Sequence, residues 1–118
     1  MKGLLVKESL ADPSVLDLLL VTRSESWQIK NAASYQPTVW TAISFETDAS
    51  QSDAIADKLS HALKAQGWYI NASTETHVYV IFPNKVFKYL EGDTIARGEA
   101  ARYALSIGVP QGQLDWDE

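Results

Sequence analysis

Cysteine is absent from this sequence, and with it go disulfides, thiolate metal sites and cysteine nucleophiles, so the chain is indifferent to redox compartment. Long apolar runs are absent too. Met1-Lys2-Gly3-Leu4-Leu5-Val6 begins like a signal peptide, but Lys7 and Glu8 end the run, and no stretch approaches membrane-spanning length. A soluble, cytoplasmic protein with no membrane partner is expected. Basic charge is scarce and scattered: ten Lys and Arg against fifteen Asp and Glu leave a formal net charge of −5. Binding to a phosphate backbone depends on gathered basic residues, so nucleic acid is not an expected partner.

Catalytic signatures are equally thin. There are two histidines. His61 falls on the polar side of a helix one turn after Asp57, and His77 opens a strand near Glu75; neither has a second His within ligand spacing, so no metal and no cofactor are expected. The chain has no GxSxG elbow and no glycine-rich phosphate loop. The carboxylate pairs Glu91/Asp93 and Asp115/Asp117 sit in a turn and in the tail, where solvent does not favour a general acid. An enzyme is therefore the less favoured reading.

What is present is organised around Val78-Tyr79-Val80-Ile81-Phe82-Pro83-Asn84-Lys85-Val86-Phe87-Lys88-Tyr89. The first half is apolar at every position, as a strand buried on both faces requires, and the second half alternates, as suits a strand nearer an edge. Pro83 and Asn84 supply the turn, Pro through its fixed φ and Asn through its tolerance of φ > 0. The 118 residues suit one domain over 1–118, able to bury about two-thirds of its unfolded surface.

Upstream, Asp12-Pro13 reads as a helix start, leading into a short helix or directly into a strand over Val21 to Ile29. Lys30 to Thr38 reads as a loop, and Val39 to Thr47 as a second strand able to pair with the first. A capping box at Ser50 to Asp53 begins a helix with Ile55, Ala56, Leu59, Ala62, Leu63 and Gln66 on one face, closed by Gly67 and Trp68. Trp68 to Ser73 makes a further strand. Ile95 to Ile107 makes a second long helix with Ala96, Ala100, Tyr103, Ala104 and Ile107 as its stripe. Leu114 and Trp116 suit a tail docked through Trp116.

These elements predict an α+β fold: a mainly antiparallel sheet of about five strands with two long helices on one face, a two-layer sandwich related to the ferredoxin-like arrangement. The four tryptophans, Trp27, Trp40, Trp68 and Trp116, lie in four different segments, which implies a core or a surface patch assembled from distant parts of the chain. With both helices on one side, the other face of the sheet carries Tyr79 and Ile81, joined by Phe87, Tyr89, Tyr69, Trp27, Trp40 and Trp116, with Arg23, Glu25, His77 and Lys88 as a polar rim. Such a face is either covered by the N-terminal segment and the tail, or it marks an interface or a ligand groove. The leading expectation is a non-enzymatic interaction module that forms a homodimer through this face. The alternatives are a small-molecule site or unrecognised enzyme in an aromatic groove, and an acidic, immunity-type partner of a basic protein.

The runs Phe82-Pro83-Asn84-Lys85-Val86-Phe87-Lys88-Tyr89, Glu99-Ala100-Ala101-Arg102-Tyr103-Ala104, Gly108-Val109-Pro110 and Gln113-Leu114-Asp115-Trp116 resemble a pattern found in small uncharacterised bacterial proteins. The resemblance covers about the C-terminal third and implies a bacterial source, compatible with a mobile gene cassette. It implies no function and no site residues.

Overall fold

The computed structural model of the chain describes residues 1–116; Asp117 and Glu118, which complete the acidic tail, lie outside the described residues. Six strands form one sheet: β1 (Lys2–Val6), β2 (Leu20–Gln28), β3 (Val39–Glu46), β4 (Ile70–Ser73), β5 (His77–Phe82) and β6 (Lys85–Leu90). Their order is β2-β3-β1-β4-β5-β6, and every neighbouring pair is antiparallel. Two helices, α1 (Ser52–Ala62) and α2 (Thr94–Ser106), follow β3 and β6. The antiparallel α+β character is as expected. The sheet has one strand more than expected, because Lys2–Val6 pairs on both sides and becomes a central strand.

The expectation that both helices share one face is overturned. On one face Leu5, Ile43, Phe45, Ile70, Tyr79 and Ile81 pack with Ile55, Ala56 and Leu59 of α1; on the other, Val78, Val80 and Phe82 pack with Ala100 and Ala104 of α2. The chain is βββαβββα, with cover on both sides of the sheet, and not a two-layer ferredoxin-like sandwich. The cause lies in β5. Five of its six residues are fully buried, so each of its faces needs its own apolar layer. Each such Val, Ile or Phe is worth about 1.5–3 kcal/mol of burial.

Local signals explain most boundaries. Asp93 caps α2 by accepting from the Ala96 amide at 3.0 Å. The α1 start differs from the expected Ser50–Asp53 box: Asp48 accepts from the amide and hydroxyl of Ser50 at 2.9 and 2.7 Å, opening a 3₁₀ turn (Ala49–Gln51) that leads into α1. Asp53 is thereby released for another task. The helix also ends at Ala62, before Gly67, because the Ala62 carbonyl accepts from Ala11 and Asp12 and because Leu63 bridges Leu10. Pro13–Leu18 forms a 3₁₀ helix capped by Asp12. Asn84 takes φ 59° in the two-residue turn, as expected, and Phe82 pairs Lys85 across it.

That turn also sets a register the sequence reading misplaced. Val80 faces Phe87 and Tyr79 faces Lys88, so Phe87 and Tyr89 join the α2 face while Tyr79 and Ile81 lie under α1. The continuous aromatic face expected from these four residues does not exist. Among the described residues, no helix is long and apolar enough to cross a membrane.

Candidate functional site

α2 and the tail cover the β5–β6 half of their face, and where that cover stops a cleft of about 570 Å³ opens over β1 and β4. Its floor is Leu4 and Val6 of β1 and Asn71 of β4; the register places Asn71 beside Leu4. One wall comes from the β2–β3 hairpin, where Trp27 and Trp40 sit directly opposite each other. A bulge between Val21 and Arg23 sets that register, putting Arg23, Glu25 and Trp27 on the cleft side of β2. The other wall is Tyr69 with Gly112, Gln113, Asp115 and Trp116. Trp68 closes one end against Trp40, ring centroids 5.1 Å apart. All four tryptophans of the chain thus line one cavity.

The walls are fixed by bonds that hold their polar atoms. Trp40 Nε1 donates to the Pro37 carbonyl at 2.8 Å, and Trp116 Nε1 donates to Tyr89 Oη at 2.9 Å. Arg97 donates to the Trp116 carbonyl at 2.9 Å and lies 4.8 Å from its ring, while Tyr69 packs edge-on against the same ring and donates to the Gln113 carbonyl. Burial pushes the Tyr69 hydroxyl well above the usual tyrosine value, so it stays protonated and donating. Behind the tail, Gln113 Nε2 donates to Gln36 Oε1 at 2.9 Å and to the Asn31 carbonyl at 3.0 Å, and Gln36 Nε2 donates to the Gly67 carbonyl at 3.1 Å. This buried amide pair ties the 31–36 loop to the tail, so the cleft is built by long-range contacts and not by one local motif.

Of the expected site residues, the structure brings Trp27, Trp40, Tyr69 and Trp116 together. Arg23 and Glu25 pair with each other at 3.0 Å on the cleft side of β2. Tyr79 and Ile81 are core residues beneath α1, and Phe87 and Tyr89 pack in the α2 core. His77 and Lys88 lie at the opposite end of the sheet, bordering a shallower, polar depression. Sequence reasoning missed Asn71, Leu4 and Val6, all on strands whose pairing it did not resolve, and left Trp68 out of the site, reading it as a helix closure, a strand start and one of the four dispersed tryptophans.

In the polar depression, Tyr79 donates to Asp53 Oδ1 at 2.7 Å and Lys88 pairs with the same oxygen at 3.1 Å. The Tyr79 hydroxyl, then the Lys88 ammonium, hold the Asp53 carboxyl below its ordinary value, and Asp53 in turn raises Lys88. The cluster ties α1 to β5 and β6. Asp53, depressed when folded, adds stability above its unfolded value that fades as pH falls through the folded one. Lys88, raised when folded, adds stability that is lost as pH rises through its folded value. A Tyr79→Phe variant is expected to move the Asp53 titration midpoint back toward the ordinary range, as read by carboxyl-carbon NMR. An unchanged midpoint would contradict the bond. Among the described residues, no group of three or more His, Asp and Glu could hold a metal ion.

In comparisons with known proteins, no family model, no curated protein and no solved structure matches this chain.

Proposed function

We propose that the protein is a binding module that holds a small molecule in the tryptophan cleft. The observation that carries this is the convergence of Trp27, Trp40, Trp68 and Trp116, from four separate segments, on one concavity. Its size falls within the range of small-molecule sites, which are mostly apolar with a few placed polar groups. The described lining is dominated by indole rings, with apolar and amide side chains between them, which suits binding. Thermal-shift screening of the purified protein against a metabolite library is expected to find a stabiliser, since a ligand selective for the folded state raises the melting temperature. The shift should disappear in Trp27→Ala, which removes a partly exposed wall and no member of the buried core clusters. A blank screen across the library would sink the proposal.

A second reading, self-association, draws on the free edge of the sheet. Tyr79, Ile81, Phe87 and Tyr89, expected at a dimer face, are packed in the two cores, but Leu20, at 65% exposure, and Val21 leave apolar side chains exposed on the edge strand β2. Light scattering that shows a monomer at high concentration would remove this reading.

A further inference from the structure

We infer that the cleft takes a flat, uncharged ring system bearing oxygen or nitrogen acceptors; this rests on the small-molecule reading above. The argument starts from which polar groups remain open. Trp40, Trp116, Tyr69 and Gln113 have their donors bonded within the protein. The indole N–H of Trp27, the indole N–H of Trp68 and the Asn71 side-chain amide have no protein partner among the described residues. Yet no buried side-chain nitrogen or oxygen among those residues lacks a partner. The three groups therefore reach open space. Trp68 is only 5% exposed, and the open space it lines is the cleft.

Two open N–H donors and one amide along a slot floored by Leu4 and Val6 call for acceptors on the ligand. They favour an acceptor over a cation, for which the described lining offers the Asp115 carboxylate alone. An anion meets Asp115 at the rim and a chain of net charge −5, while Lys2 is already paired with Glu46 at 3.3 Å. A saccharide would press hydroxyls against Leu4 and Val6 of the floor, which can satisfy none of them, and leave the rest to Asn31, Asn71 and Asp115. A flat ring fits instead: it covers the apolar floor, meets Trp27 and Tyr69 across the slot, and offers its acceptors to Trp68 and Asn71.

The test titrates the full chain with three flat, uncharged probes (caffeine, coumarin and lumichrome) beside cellotetraose, tetramethylammonium and 8-anilinonaphthalene-1-sulfonate, following tryptophan fluorescence and heat. At least one flat probe is expected to bind. Trp27→Ala should then weaken it by tenfold or more, and Asn71→Leu and Trp68→Phe should each weaken it about threefold to tenfold, the last variant keeping a ring but losing the N–H. Asn71→Leu breaks no internal bond, so its melting curve serves as the folding control. Binding of the saccharide, the cation or the anion in the cleft without any flat probe would overturn the ligand class and leave the binding module standing. Silence from all six overturns the ligand class, and the binding module falls with it only when the metabolite screen is blank as well.

Discussion

Replacing Phe82 by alanine is expected to lower the unfolding free energy by about 3–5 kcal/mol. Phe82 has no solvent exposure, and its ring lies 5.0 Å from Tyr103, 5.7 Å from Phe87 and 6.2 Å from Tyr69. Each edge-on ring pair adds about 0.5–1.5 kcal/mol beyond its burial. The hole cannot collapse easily, because the sheet is rigid on one side and α2 presents the short Ala100 and Ala104 on the other. Since a domain of this size is stable by only about 5–15 kcal/mol, the variant should sit close to the limit of folding. Urea denaturation should show the midpoint falling with the slope preserved. A loss below about 1 kcal/mol would mean that the α2 face is not a packed core.

Gly3→Val should be comparably damaging, against the preference of valine for strands. Gly3 lies in β1, which pairs with β3 on one side and β4 on the other. A Cβ there would meet Phe45 Cζ at 2.5 Å, Ala72 Cβ at 2.7 Å and the Asn71 carbonyl oxygen at 2.8 Å. Phe45 is itself buried, and a backbone oxygen in a ladder cannot retreat without breaking it. The expected cost is about 3 kcal/mol or more, at the upper end for overpacked cores. Because β1 joins the two halves of the sheet, prising it from β4 would also deform the cleft floor at Leu4 and Asn71. A variant as stable as the parent in thermal and urea melts would contradict the close packing of the central strand.

The hydrophobic patterns of β6 and α1 were legible in the sequence because each repeats at the period of its element, β5 showed as an unbroken apolar run, and α2 as a stripe of small residues between Asp93 and Gly108. What periodicity does not carry is side. An amphipathic helix shows that it buries one face, not which face of the sheet receives it, and two helices with one stripe each fit either layout. The unbroken run Val78–Phe82 held the missing clue: a strand apolar on both faces requires cover on both, which is incompatible with helices on one side only. β1 escaped notice because Lys2 and Gly3 dilute a run of three apolar residues, and the glycine that weakens the pattern is the residue close packing demands. The four tryptophans were visible as a set, but their meeting place depends on strand order, on the bulge near Val21 and on the Gln36–Gln113 pair. None of these leaves a local signature.

The central claim is that the four indoles frame an open site. Nitrogen–proton correlation NMR of their Nε1–H groups, during addition of the pooled flat-ring probes, tests it most directly. Trp27 and Trp68 should shift strongly, whereas Trp40 and Trp116, whose N–H groups are held by Pro37 and Tyr89, should move less. Four indole signals left unmoved by these probes and by the metabolite library alike, or backbone shifts confined to the His77 and Lys88 end of the sheet, would contradict it.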